Sequence, residues 1–256
     1  MSSSVDGDEV HLDGLAAADL AARLNVPRVH LFASVSSTLD VANAIAASAP
    51  AGTVIVADEQ TAGRGRQGRA WVSPPGAGLW LTLLERPDDP GALEVLSLRC
   101  GLFAAEALDA LAGAVIGVKW PNDLYVRGRK LAGVLIETRW RGTSPEWVAI
   151  GFGLNVLRPP LDTAVGLTPG TTRSDALLSL VPALRRAAAA TGPLTSDELT
   201  RWSARDVARG CVVEGPSPGR VDGISARGEL LVRAADATLT AHRSGTLTFA
   251  EPLACS

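Results

Sequence analysis

The chain has 256 residues, 46% of them hydrophobic and 20% charged, which suits a folded protein of one large and one small domain and excludes wholesale disorder. A formal net charge of −3 supplies no global attraction to nucleic acid or to an anionic membrane, so any polyanion must be met by a local cluster. No apolar run reaches the roughly 18 residues a membrane helix needs, and the acidic start with Asp6, Asp8 and Glu9 does not read as a signal peptide. Cys100, Cys211 and Cys255 are odd in number and widely spaced, as expected of reduced thiols in a cytoplasmic protein.

In chain order, Leu15, Leu20 and Leu24 predict a short helix between Asp13 and Asn25, followed by a strand over Val29–Val35. Ser36-Ser37-Thr38 offers hydroxyl caps for a helix ending near Pro50. Strands are expected over Thr53–Ala57 and Leu79–Leu84, then a helix from Leu93 to Leu111 with Leu93, Leu96, Cys100, Phe103, Ala107 and Leu111 on its buried face. Val115–Val118 reads as a strand. Leu124–Val126 and Leu131–Thr138 read as a hairpin turning on Arg127-Gly128-Arg129, and Trp147–Phe152 as one more strand. Ser174 is the expected cap of a helix reaching Ala190, interrupted or restarted at Pro182. From Val207 the texture changes to short strands, Cys211–Glu214, Arg220–Ile224, Glu229–Arg233 and Thr238–His242, which suggest a small β-barrel. Strands and helices mix without βαβ alternation, so the fold class expected is α+β with a largely antiparallel sheet.

Three stretches carry candidate chemistry. Gln60 to Trp71 (QTAGRGRQGRAW) alternates glycines with Arg64, Arg66 and Arg69 and contains no acidic residue. Glycines let backbone N–H groups curl around a ligand, and guanidinium forks suit phosphate or carboxylate. A basic segment touching RNA would look similar, but this one lies between two strands. The three arginines should repel one another until a ligand's charge relieves them, which predicts a loop mobile when empty. The second stretch joins Lys119-Trp120-Pro121-Asn122-Asp123 to Lys130-Leu131-Ala132-Gly133. Lys130 opens an apolar strand, where an ammonium needs an anionic partner unless it snorkels at the hairpin base. The third is Gly151-Phe152-Gly153-Leu154-Asn155, whose amide could read a base edge or cap a turn. His11, His30 and His242 fit no metal spacing.

Ser37-Thr38, QTAGRGRQGRAW, KWPNDL, KLAGVLIE and GFGLN stand in the order and approximate spacing of the biotin–protein ligase family, which the chain resembles over roughly residues 34–157. The resemblance implies a core related to class II aminoacyl-tRNA synthetases over 1–206, with a short extension over 1–27, and an SH3-like barrel over 207–256. It implies activation of biotin by ATP with Mg2+, then transfer to a lysine of a biotin carboxyl carrier domain. Ser37, Thr38, Leu39 (through backbone), Gln60, Gly63, Arg64, Gly65, Arg66, Lys130 and Gly151 would hold biotin. Of the ATP-binding residues, Arg66 would sit on the α-phosphate side, Arg69 on the departing pyrophosphate and Trp71 and Asn155 on adenine. Lys130 would bridge the biotin carboxylate and the α-phosphate, and Asp123 would orient or deprotonate the acceptor lysine. Arg66, Lys130 and Asp123 would be the catalytic residues. No metal-ligating residues are implied.

Two departures stand out. Leu39 replaces the family's usual asparagine, and Gly245-Thr246-Leu247-Thr248-Phe249 lacks the acidic and terminal basic residues often found there, which makes contact from the barrel to ATP doubtful. The related lipoate–protein ligases and octanoyltransferases are the alternative, though they use different signature segments. The sequence leaves monomer and homodimer open and implies no membrane partner. The stretch before the first core motif is too short for a winged helix, so specific DNA binding is not expected. In a gel shift, no sequence preference should survive about 0.2 M salt, where non-specific phosphate contacts fade.

Overall fold

Alternation of side chains along the strands sets the architecture. In the computed structural model, which describes residues 10–251, β1 (Val29–Val35), β2 (Thr53–Gln60), β3 (Gly78–Glu85), β4 (Gly117–Lys119), β5 (Asp123–Val126), β6 (Arg129–Arg141) and β7 (Ser144–Asn155) form one sheet in the order β1-β2-β3-β7-β6-β5-β4. Only β1 and β2 run parallel, so the expected α+β class with a largely antiparallel sheet holds. Val54 and Val56, Leu79, Leu81 and Leu83, and Ile150, Phe152 and Leu154 line one face. That face lies under α1 (Ala17–Leu24), α4 (Leu96–Ala112) and α5 (Arg173–Ala189). Each such apolar side chain contributes about 1.5–3 kcal/mol on burial. The alternate residues Ile55, Leu84 and Ala149 point the other way and form a smaller core with Leu39, Ala42 and Ala46 of α2 (Thr38–Ile45).

Several elements depart from expectation. The first helix begins only at Ala17, because Asp13 and Gly14 take positive φ (51° and 82°) in the Leu12–Leu15 turn. The second ends at Ile45, short of Pro50. The predicted hairpin forms on Arg127 (φ 48°) and Gly128 (φ 71°), the conformation a two-residue turn between twisted strands requires. α5 is capped by Thr172, which shares a capping box with Asp175, whereas Ser174 donates its backbone N–H to Asp13. Pro182 does not interrupt α5, since Val181, Ala183 and Leu184 around it are all buried and hold the helix against the loss of one hydrogen bond. The expected long helix is split into α3 (Pro90–Leu93) and α4. α4 buries Leu98, Leu102, Ala105 and Leu108 rather than one stripe through Phe103 and Leu111, because it is wedged between the sheet, α5 and α6 (Ser196–Arg205). α6 itself escaped the apolar periodicity. Its signal is the capping box Thr195–Glu198, and Glu198 also receives the buried Arg99 at 2.7 Å.

Beyond α6, β8 (Val212–Gly215), β9 (Gly219–Ile224), β10 (Leu230–Arg233), β11 (Leu239–His242) and the unexpected β12 (Thr248–Phe249) make a second sheet in the order β11-β10-β9-β8-β12. No strand pairing joins β11 to β12 among the described residues, so the sheet is open. It docks on the core through Trp120 Nε1, which donates to the Gly228 carbonyl at 3.0 Å, and through Val207 N to Val118 O at 3.1 Å. Cys100 is buried and Cys211 partly buried, both unpaired, while Cys255, Asp6, Asp8 and Glu9 lie outside the described residues. No described helix is long and apolar enough to cross a membrane.

Asp206 stands at the junction of core and second sheet, one of its carboxyl oxygens buried without a hydrogen-bond partner. Burial pushes its carboxyl up to about 6, against the pull of the Ala208 and Arg209 backbone N–H groups. The folded state therefore holds this proton more tightly than the unfolded chain, and ionisation opposes folding as pH rises from about 4 towards 6. Asp206→Asn is expected to add about 1–3 kcal/mol at neutral pH and to remove that part of the pH slope, as read by urea unfolding on either side of the window.

Candidate functional site

The exposed half of the second sheet face is a floor of small residues. Strand register pairs Gly151 with Thr82 and Leu135, and Gly153 with Trp80 and Gly133. A methyl on Gly151 would lie 3.0 Å from Leu39 Cδ1, and one on Gly153 only 2.6 Å from the Trp71 indole. The glycines thus make a depression of about 190 Å3 between α2, the loop after β2 and the hairpin of β5 and β6.

A neutral polar corner closes one end. Ser37 caps α2, its Oγ accepting from Leu39 N at 3.3 Å. Gln60 Oε1 accepts from Thr38 N at 2.9 Å, Thr38 Oγ1 at 3.2 Å and Ser37 Oγ at 3.4 Å. Thr82 donates to Thr38 Oγ1 at 2.9 Å, and Gln60 Nε2 donates to Ser73 Oγ at 2.9 Å. This chain of donors orients an amide and two hydroxyls without any net charge, beside the apolar wall of Leu39 and Leu135. Leu39, expected to act only through backbone, is buried and supplies its side chain to that wall.

The glycine–arginine loop crosses above the floor as a small hydrogen-bonded excursion. Trp71 N donates to Gly63 O at 2.9 Å and Gly65 N to Arg69 O at 2.7 Å. Its three arginines do not simply repel one another, contrary to expectation. Arg64 turns away to Asp40 (2.6 Å) and Glu137 (3.0 Å). Burial pulls its guanidinium down, but those two carboxylates raise it more, so it is fixed as a cation. The carboxylates come from α2 and β6, which sequence distance hides. Arg66 remains over the pocket, its pKa lowered by burial and by Arg69, with Asp123 opposing. Arg69 donates to Thr246 Oγ1 at 3.3 Å, and that hydroxyl donates to Gln67 Oε1 at 3.2 Å. Gly245, Thr246 and Leu247 thus line the pocket, and the second sheet reaches the site after all.

On the hairpin side, Lys130 Nζ lies 2.7 Å from Asp123 Oδ1 and 5.1 Å from the Trp71 ring centroid. The lysine is neither idle nor snorkelling: a carboxylate of the neighbouring strand balances it. Trp71 lies on the glycine floor, edge-on to Trp80 at 6.5 Å, with its own Nε1 buried and lacking a partner.

The pocket therefore gathers Ser37, Thr38, Leu39, Gln60, Arg64, Gly65, Arg66, Arg69, Trp71, Asp123, Lys130 and Gly151. Gly63 stands just behind it at the neck of the loop. Asn155 does not line it, being buried with its Nδ2 donating to the Lys130 carbonyl at 3.4 Å, which favours its turn-capping reading. Sequence reasoning missed Lys119 and Thr246. The first sits in a motif already singled out, and the second gave no local signal. Among the described residues no three His, Cys, Asp or Glu side chains cluster to hold a metal.

Residues 31–155, just under half of the chain, match the model of the Biotin/lipoate A/B protein ligase family. The bifunctional ligase/repressor BirA of Bacillus spizizenii is 41% identical over 124 residues, 48% of this chain and 38% of that protein. A biotin–[acetyl-CoA-carboxylase] ligase of Paracoccus denitrificans is 42% identical over 124 residues, 46% of this chain and 49% of that protein. The matched stretch thus spans less than half the length of these curated relatives. Among solved structures, the biotin protein ligase from Aquifex aeolicus in complex with biotin and ATP aligns with a TM-score of 0.71 at 26% identity, covering 87% of this chain and 99% of that one.

The glycine floor yields a direct test. Gly153→Ala should displace Trp71, shift its fluorescence and cost about 1–3 kcal/mol, the range for overpacking. The shift should vanish in a Trp71→Phe background. An emission spectrum unchanged by Gly153→Ala would show that the indole does not rest there.

Proposed function

We propose that the protein is a biotin–protein ligase that joins biotin and ATP into biotinyl-5'-AMP with release of pyrophosphate, then passes biotin to a lysine of a biotin carboxyl carrier domain. One observation carries this reading: a neutral amide-and-hydroxyl corner lies in the same pocket as Arg66, Arg69 and Lys130. The corner suits the uncharged bicyclic head of biotin, and the cations suit its carboxylate and the phosphates. In the first step a carboxylate oxygen attacks the α-phosphorus and the bond to the pyrophosphate oxygen breaks. Both reactants are anionic, so fixed cations and alignment matter more than a strong base. Lys130 leaves Asp123 for the incoming anions, and Arg66 holds the same group from the loop. In the second step the acceptor amine attacks the acyl carbon and AMP departs, with Asp123, now released from Lys130, placed to take the amine's proton.

Trp71 is suited to stack on adenine once it lifts from the glycine floor. Mg2+ would arrive on the triphosphate rather than in a protein cage, since the pocket's one carboxylate among the described residues is held by Lys130. We read 1–206 as the catalytic domain with a synthetase-like core. In the same reading 207–256 is a small SH3-like barrel, supported by the change to short strands after α6. Unpaired Cys100 and Cys211 support a cytoplasmic setting.

Incubation with ATP, a carrier domain and either biotin or lipoate, followed by a streptavidin blot and a lipoyl blot, tests the reading. Biotin incorporation alone is expected, whereas lipoate transfer would replace the proposal. Lys130→Ala should slow pyrophosphate release on the order of 100-fold or more, with Lys130→Arg a poor substitute. Arg66→Ala should let the adenylate escape and label bystander proteins. A normal rate and selectivity in Arg66→Ala would remove that residue from the mechanism.

A further inference from the structure

Lys119 has no role in the assignments above, yet its setting is specific. It ends β4 and lines the pocket with its Nζ 5.5 Å from the centroid of Tyr125 and 5.0 Å from that of Phe249. The first ring comes from the neighbouring strand, the second from β12 of the C-terminal sheet. Aromatic faces attract an ammonium by about 0.5–2 kcal/mol but leave its N–H directions free for an anion. Lys119 forms no salt bridge among the described residues, and the pocket's one carboxylate already engages Lys130. Burial lowers its pKa, as do Lys130 and Arg69, with Asp123 opposing. With Arg64 and Lys130 paired, Arg66, Arg69 and Lys119 thus line the pocket without a carboxylate to balance them among the described residues.

The location specifies the missing anion. Arg69 and Lys119 are both held by the short segment 246–249, the first through the Thr246 hydroxyl and the second through the Phe249 ring. Lys130, by contrast, lies over Trp71 at the glycine floor. The two sets of cations divide the pocket between the group attacked and the group that leaves.

We propose that Lys119 is a further anion-binding residue of this pocket, holding with Arg69 the pyrophosphate end of the nucleotide, and that Phe249 is its positioning residue. The assignment of the anion to a nucleotide rests on the reading under Proposed function. The C-terminal sheet then contributes to nucleotide binding through an aromatic ring and a hydroxyl rather than through charges of its own.

Calorimetric titration of the full chain with inorganic pyrophosphate tests this, with biotin titration as a control for folding. Lys119→Met keeps the length of the side chain and can still pack between the rings. It should bind pyrophosphate about 10-fold more weakly and show a shallower dependence on salt. Lys119→Arg should retain most of the binding, and Phe249→Leu should weaken it about two- to threefold, in keeping with the loss of one cation–π contact. Pyrophosphate binding in Lys119→Met within twofold of the unaltered protein would overturn the proposal. So would an equal loss in Lys119→Arg, or no pyrophosphate binding by the unaltered protein. If the unaltered protein binds pyrophosphate through Lys119 but forms no biotinyl adenylate, the anion site stands and the ligase reading fails.

Discussion

Close approach of an indole and a leucine to the backbone of β7 is the constraint on which the site depends. Along that strand Ile150, Phe152 and Leu154 point into the main core, and of the alternate positions Ala149 joins the smaller core while Gly151 and Gly153 face the pocket. The same twofold alternation that anchors the sheet against α4 and α5 therefore empties its opposite face. Without the methyl groups, Leu39 and Trp71 reach the sheet and the depression between them remains open. A larger residue at either glycine would fill the volume that a ligand needs, whatever polar groups surround it.

Charge is arranged around that depression with similar economy. Each cation nearest the floor has a partner from another element: Arg64 has Asp40 and Glu137, and Lys130 has Asp123. Arg64 is locked by two carboxylates and serves to pin the loop. Lys130 has one exchangeable partner, so an incoming anion can take its place and release a carboxylate close by. Arg66, Arg69 and Lys119 carry the remaining positive charge. In a partly water-excluded pocket their mutual repulsion is a standing cost, and a polyanionic ligand removes it. An energetically incomplete empty site of this kind favours binding of the charged ligand over retention of water.

The C-terminal sheet adds few groups to the site, but they act where the loop would otherwise be free. Thr246 links Gln67 to Arg69, and Phe249 covers Lys119. The sheet is itself fixed by the Trp120–Gly228 and Val207–Val118 hydrogen bonds, so the backbone that carries the candidate motif Lys119-Trp120-Pro121-Asn122-Asp123 also carries its neighbour. Core and second sheet are coupled at the residues that line the pocket rather than at a remote hinge.

The sequence by itself determined most of the strand and helix order, the hairpin on Arg127-Gly128 and the motifs whose candidate residues meet in the pocket, from Ser37 and Gln60 to Lys130 and Gly151. These depend on local rules: alternation along strands, glycine at tight turns, and charged residues set among glycines. It did not determine α6, whose charged surface conceals the Arg99–Glu198 contact, nor the true cap of α5, since Thr172 and Ser174 are equally good hydroxyls until Asp13 claims the Ser174 backbone. Nor could it distinguish Arg64 from Arg66, or a snorkelling Lys130 from a paired one, because the deciding carboxylates on α2, β5 and β6 are supplied by other elements. Only the tertiary structure decided those, together with the roles of Lys119 and Thr246. Pairing, burial and the aromatic face over an ammonium are long-range relations, and a chain read residue by residue carries no record of which distant side chain will stand beside it.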